Sequence, residues 1–317
     1  MSSNDETVVA RPHKPDWLKV KLHDDPRYAE VAAVVRRHDL HTICASGRCP
    51  NISTCWSRGT ATFMIGGDTC TRACRFCATK SAARPASLDA GEPLKVARSV
   101  ALMGLRHAVI TSVDRDDLAD GGAGHWAETV RAIRRLNPEA TVELLIPDFS
   151  GDFDLLEVVL AAGADIVGHN VETVARLTPV VRDRRASYET SLEVLRRIAA
   201  FGVERGDTAL AKSALMVGLG EERDEVLRTL DDLAEAGVRR MTIGQYLQPT
   251  ARHYPVAEYV HPELFEAYKA AAVERGIVYT ESGPLVRSSY MADRLAPAGR
   301  KVSRPLASLA VETEGGR

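Results

Sequence analysis

From residue 60 onward, apolar and polar positions switch regularly between two periods. Short apolar runs at 60–65, 107–112, 141–146, 164–169, 213–219, 240–246 and 277–280 have the length of buried strands. Between them, 94–103, 126–136, 153–162, 188–201, 222–236 and 262–275 repeat apolar residues at the spacing of amphipathic helices. This alternation predicts parallel strands with crossover helices, because parallel neighbours cannot be joined by a tight turn. Six or seven such βα units fall short of the eight in a closed barrel. The expected fold is therefore α/β, a partial (β/α)6-type open TIM barrel over 60–283, with a doubly wound sheet as the alternative.

The flanks read differently. Residues 1–25 carry Pro12 and Pro15 among charges, as an extended arm with little structure of its own does. A helical pattern over 25–38 and a loop rich in Gly, Ser, Asn and Pro complete an N-terminal extension, 1–59. A C-terminal segment, 284–317, ends in a loose tail after Leu295.

Composition narrows the function. The 317 residues carry 41 basic and 43 acidic side chains, a net charge of -2, so there is no global field to hold nucleic acid. The N-terminal stretch is polar, without an apolar export signal, and no apolar run is long enough to span a bilayer. The expectation is a soluble, cytoplasmic protein that binds neither nucleic acid nor membrane.

All 6 cysteines fall in two triplets: Cys44, Cys49 and Cys55, then Cys70, Cys74 and Cys77. Disulfides fit poorly, since a chain this long needs no staples and leaves the rest of its length without cysteine. Structural zinc is the stronger rival, but a closed zinc site usually draws on two C-x2-C knuckles and this chain has one such step. The second triplet reads C-x3-C-x2-C, enough thiolates for three corners of a four-iron, four-sulfur cube, with the fourth iron open.

Polar residues also gather after the predicted strands, where a parallel barrel builds its site. They are Asp114-Arg115-Asp116-Asp117, His169-Asn170-Val171-Glu172, Gly218-Leu219-Gly220-Glu221 and Gly244-Gln245-Tyr246. Singly, the Asp114 run reads equally well as a salt-bridged capping loop, and His169 as a satisfied core histidine. Gly218-x-Gly220 lacks the third glycine of a dinucleotide fingerprint.

The C-x3-C-x2-C loop after a first strand resembles the radical S-adenosylmethionine (SAM) superfamily. Cys44-x4-Cys49-x5-Cys55, Cys55-Trp56-Ser57-Arg58-Gly59, Thr111-Ser112-Val113-Asp114-Arg115-Asp116-Asp117, His169-Asn170-x-Glu172, Gly244-Gln245-Tyr246-Leu247-Gln248-Pro249 and Arg287-Ser288-Ser289-Tyr290 resemble the lipoyl synthase family, over about residues 15–292. The resemblance implies that Cys70, Cys74 and Cys77 hold a cluster whose open iron binds SAM and cleaves it to a 5'-deoxyadenosyl radical. It implies an auxiliary cluster on Cys44, Cys49, Cys55 and Ser289, with Ser288 as the alternative ligand. Asp114, Arg115, Asn170, Glu172 and Gln245 are the candidates for holding SAM. The implied reaction inserts sulfur at C6 and C8 of an octanoyl chain on a lysine of a lipoyl carrier domain. The implied partners are octanoylated E2 subunits of 2-oxoacid dehydrogenases, the glycine cleavage H protein, an electron donor such as flavodoxin or ferredoxin, and an iron–sulfur carrier.

A biotin synthase-like sulfur inserter and a zinc-stabilised binding module are the rival readings. Arg58, Arg72, Arg75, Lys80 and Arg84 form a locally basic stretch, either a steering surface for an acidic carrier or a plain solvated face. The sequence departs from the family at Ala214 of Lys212-Ser213-Ala214, where glycine is usual, and at Gly168 before His169-Asn170.

Overall fold

The computed structural model describes residues 13–19, 26–37, 42–46, 49, 51–58, 60–290 and 292. The N-terminal elements are α1 (Pro26–Arg37), α2 (Ile43–Ser46) and α3 (Ile52–Ser57). Then come β1 (Thr60–Ile65), a two-residue ladder β2 (Thr69–Cys70) and β3 (Lys80–Ser81), α4 (Glu92–Leu102), β4 (His107–Ser112), α5 (Ala123–Leu136), β5 (Thr141–Leu145), α6 (Phe153–Leu160) and β6 (Ile166–Gly168). The chain continues through α7 (Thr178–Val181), α8 (Tyr188–Glu204), β7 (Ala211–Val217), α9 (Arg223–Glu235), β8 (Arg240–Gln245), α10 (Pro262–Glu274) and β9 (Tyr279–Gly283).

The predicted strands form one 7-stranded sheet in the order β1-β4-β5-β6-β7-β8-β9, every neighbouring pair parallel. Its strands run in chain order and β1 and β9 remain its two edges, as an open barrel requires. Both β1 and β4 begin and end where the apolar runs do, and the other strands differ by a few residues at their ends.

Helix starts carry their own signals. Asp152 accepts from the backbone N–H groups of Asp154 and Leu155 ahead of α6, and Ser187 from Thr190 ahead of α8. The apolar faces of α5, α6, α8 and α9 close over the sheet, so Val130, Ile133, Val159, Val194, Leu195, Ile198 and Leu230 are all buried.

The expectation of an unstructured arm fails for 13–19. Leu18 is wholly buried in a 3-10 turn, Asp16–Leu18, and Trp17 meets His261 edge-on at 5.3 Å, because apolar residues among the charges take cover from water. Most of the rest of that arm, and the tail after Leu295, lie outside the described residues. No helix among the described residues is long and apolar enough to cross a membrane.

The barrel interior is charged below its mouth. Side chains alternate along a strand, so Glu143 faces the same side as Leu145, two residues nearer the mouth. Lys212 Nζ donates to Glu143 at 2.5 Å, and His107 Nε2 lies 3.1 Å from its other oxygen. Burial alone would push the Glu143 carboxyl up, but Lys212 and His107 more than offset it and hold it down to about 2. Breaking such a buried pair strands a charge. Glu143→Gln is expected to cost about 3–5 kcal/mol in urea unfolding; a loss below about 1 kcal/mol contradicts an interior ion pair.

Candidate active site

The C-terminal strand ends surround a cavity of about 350 Å³, within the ~300–1,000 Å³ range of small-molecule sites. Met64 follows from β1, Thr111 and Asp114 from β4, Leu145 and Asp148 from β5, and Asn170 and Glu172 from β6. A second cavity of about 170 Å³ lies beside it, lined by the ends of β7 and β8, and shares Phe76, Asn170, Glu172 and Ser288 with it.

Cys70, Cys74 and Cys77 all line the first cavity. Gly66 and Gly67, at φ of 82° and 95°, turn the chain out of β1 into their loop, a conformation that favours glycine. The loop is then stitched down on several sides. Thr71 N–H donates to the Asp114 carbonyl at 3.0 Å, Arg75 N–H to Val181 at 2.8 Å, and Tyr254 N–H to the Arg75 carbonyl at 2.8 Å.

Backbone donors also point at the sulfurs. Cys70 Sγ accepts from Arg72 N–H at 3.4 Å and Asp114 N–H at 3.3 Å, and Cys74 Sγ from Asp183 N–H at 3.3 Å. Burial still pushes the Cys70 thiol up to about 11 and Cys74 up to about 12, so the bare chain keeps both protonated at neutral pH and only a bound cation would turn them into thiolates. Among the described residues no three acidic, cysteine or histidine side chains converge on one metal ion. A cube spreads its thiolates over separate irons, so three thiols on one cavity, two of them accepting from backbone amides, fit a cluster better than a single ion.

Asp114, Asn170 and Glu172 come together on this cavity. Glu172 has φ 66°, unusual for a residue with a side chain, and is held by hydrogen bonds to Ala214 and from Met216. Asn170 Nδ2 donates to its carboxylate at 3.0 Å, and burial pushes that carboxyl up. Two other candidates are committed elsewhere. Arg115 donates to Asp117 at 2.8 Å and to the Gly66 carbonyl at 3.0 Å, bracing the turn out of β1. Gln245 lines the second cavity, where its side chain donates to the carbonyls of Tyr246 and Glu258 and accepts from Val260 N–H.

The first triplet sits at the edge of β1. Cys49 N–H donates to the Cys44 carbonyl at 3.0 Å, Cys55 lies on α3, and Thr42 bridges Phe63 of β1. The C-terminal segment reaches the same place. Asn51 Nδ2 donates to the Leu285 carbonyl at 2.6 Å, and Thr62 Oγ1 to Ser289 Oγ at 2.9 Å. Ser288 instead lines both cavities. A side chain at Gly244 would collide with the Val286 carbonyl, so glycine there lets the segment lie directly on β8.

Sequence reasoning missed two cavity residues, Arg182 and Asp148, and misjudged Arg72. Arg182 is buried, with Nη1 donating to Ser191 at 2.8 Å and Nε unpartnered. Asp148 follows β5, so the recurrence of polar strand ends pointed to it. Arg72 was placed in a basic stretch, yet it is buried among aspartates, and Lys80 of that stretch pairs with Asp68 at 2.7 Å.

The family described as the radical SAM superfamily matches residues 64–233. Curated relatives named lipoyl synthase include one from Bacteroides thetaiotaomicron, 56% identical over 90% of this chain and 99% of its own. Another, from Parabacteroides distasonis, is 56% identical over 89% of this chain and 97% of its own. The chain belongs to the lipoyl synthase family. A solved structure of the FeFe-hydrogenase maturase HydG from Carboxydothermus hydrogenoformans aligns with a TM-score of 0.53 at 12% identity, over 84% of this chain and 68% of that one. That likeness concerns the fold alone. Membership of the lipoyl synthase family implies a four-iron, four-sulfur cluster and SAM, and the thiol loop described above fits the first of these.

His169 borders the cavity of this lipoyl synthase-family site, but both its ring nitrogens are already engaged. Its Nδ1 meets the Ile146 carbonyl and its Nε2 the Ser191 hydroxyl, both at 3.0 Å. Burial pushes the imidazole down to about 4, from 6.5. The unfolded chain therefore binds a proton that the fold refuses, and the stability present above pH 6.5 is lost as pH falls toward 4. Wild type is expected to lose about 1.4 kcal/mol per pH unit more than His169→Gln between roughly pH 6 and 5; identical slopes in urea unfolding contradict this.

Proposed function

We propose that this chain is a lipoyl synthase that inserts two sulfur atoms, at C6 and C8, into an octanoyl chain carried on a lysine of a lipoyl carrier domain. What supports it most is that Ile43, next to Cys44, and Ser288, next to Ser289, line the cavity that holds Cys70, Cys74 and Cys77, while Asn51 and Thr62 tie the first triplet's segment and β1 to the C-terminal segment. In this reading 1–59 is the auxiliary-cluster extension, 60–283 the radical SAM barrel and 284–317 the closing segment. Methylene C–H bonds carry no acidic proton, so general-base chemistry does not open them. The cluster on Cys70, Cys74 and Cys77 supplies, with bound SAM, a carbon radical that does.

The protein's own part is to bind, orient and exclude water. Asp114, Asn170 and Glu172 offer acceptors and a donor to the amino-acid end of SAM, and the Arg182 guanidinium puts a positive charge on the same wall for its carboxylate. Arg115 and Gln245 serve this site through the backbone they hold.

Cys44, Cys49, Cys55 and Ser289 form the auxiliary site and sulfur source. Ser289 is favoured over Ser288 because Thr62, its hydrogen-bond partner, lies beside Phe63, which Thr42 bridges two residues before Cys44. With Thr62 donating, Ser289 Oγ keeps a lone pair free for iron, and a harder oxygen ligand suits a cluster that gives up its sulfur. Half-buried Arg287 lies near enough to Cys49 to favour its thiolate. The carriers are octanoylated E2 subunits and the H protein, served with electrons by a flavodoxin or ferredoxin in a reducing cytoplasm.

An anaerobic assay with SAM, a strong reductant and an octanoyl-lysine peptide tests this by mass spectrometry. Peptide gaining two sulfurs is expected; no sulfur in the peptide, or sulfur added to desthiobiotin instead, contradicts it. Ser289→Ala is expected to lower product roughly a hundredfold or more while 5'-deoxyadenosine still forms. Unchanged turnover removes Ser289 from the ligand set.

A further inference from the structure

The second cysteine loop contains a charge that the chemistry above does not use. Arg72 lies between Cys70 and Cys74, yet its side chain is only 4% exposed. Its guanidinium spans the ends of two strands. Nη1 and Nη2 donate to Asp148 at 2.7 and 2.6 Å, while Nε and Nη2 donate to Asp116 at 3.1 and 2.8 Å. Asp114 approaches Nε at 3.4 Å. The Asp148 side chain itself has no exposure, at 0%, so neither partner can turn to water instead.

A second set of charges grips the loop from the turn between α7 and α8. Arg185 Nη2 donates to the Thr71 carbonyl at 2.6 Å and Nη1 pairs with Asp116 at 3.2 Å, and Asp183 accepts the Ala73 N–H at 2.9 Å. Arg72 also borders the main cavity on one side and a third, of about 360 Å³, on the other. With Asp114 and Pro147, which also line both, it separates the thiols from the space behind them.

We propose that Arg72 is a positioning residue: anchored to Asp148 and Asp116, it holds the Cys70–Cys77 loop in ligand-ready shape before any iron arrives. A planar fork that binds two carboxylates at once fixes orientation as well as distance, which an ammonium cannot do. The loop cannot drift without exposing a buried charge, so its ordering entropy is met by the fold rather than by the metal. The proposal rests on the cluster reading above only for what the loop is held ready to bind.

The test compares full-length wild type, R72K, R72Q and D148N. In the iron-free wild-type chain, amide exchange over 70–77 is expected to be slow. R72Q and D148N are expected to exchange roughly tenfold faster or more, with R72K between them because it keeps the charge and loses the fork. After anaerobic reconstitution and reduction with dithionite, R72Q is expected to lose the electron paramagnetic resonance signal of the reduced Cys70 cluster and keep that of the other. Free exchange in the wild-type loop, or an R72Q chain with both signals unchanged, overturns the proposal. If R72Q does not fold, D148N decides on the same readouts, since it removes an anchor and leaves the thiol loop's own sequence intact. A wild-type loop that is protected in a chain taking up no iron counts against the cluster reading and leaves the clamp standing.

Discussion

Parallel strands cannot be joined by tight turns, so every connection crosses the outside of the sheet and every strand delivers its C-terminal end to the same mouth. That constraint places the chemistry of this protein. The residues after β1, β4, β5 and β6 are far apart in sequence and adjacent in space, and they wall one cavity. The thiol loop is the insertion between β1 and α4, where the chain leaves a buried strand at the mouth. Nothing about the cysteines alone would bring Asp114, Asp148 and Glu172 to them. The sheet does.

Polar chemistry inside a barrel has to be held without water, and the chain does this in two layers. Below the cavity, Glu143 of β5 is satisfied by His107 from β4 and by Lys212 from β7, two strands away. At its rim, Arg72 is satisfied by Asp148 and Asp116. A buried ion pair adds little net stability over an apolar packing, but losing one partner is costly. The arrangement therefore specifies geometry: side chains that must stay paired fix the strands and loops carrying them. The flanks of the barrel are brought in by the same logic. Asn51 reaches Leu285 across 234 residues and Thr62 reaches Ser289 across 227. Closing so long a loop adds little entropy cost beyond a shorter one.

The architecture was legible because its signal is repetitive. Helix and strand periods alternate strongly enough that β1 and β4 emerge with their observed ends, and the cysteine spacing carries its own chemistry. Side-chain allegiance was not legible. Arg115 and Asp114 are neighbours in one motif, yet one braces a glycine turn and the other faces the cavity, because strand alternation and local turns send them to opposite sides. Arg72 looked like surface charge because its partners, Asp116 and Asp148, sit 44 and 76 residues away. Arg182 follows a short helix that no periodicity announces, and its role emerges only from its place on the cavity wall.

The central claim is that two cysteine triplets each hold a four-iron cube, and each needs something other than cysteine to complete it. Mössbauer spectroscopy with iron and sulfide analysis on anaerobically purified full-length protein tests this most directly. The account predicts about eight irons and eight sulfides per chain, falling by half when Cys70, Cys74 and Cys77 are replaced together, and with two non-equivalent clusters resolved in the wild type. A colourless protein that holds zinc without sulfide would contradict it.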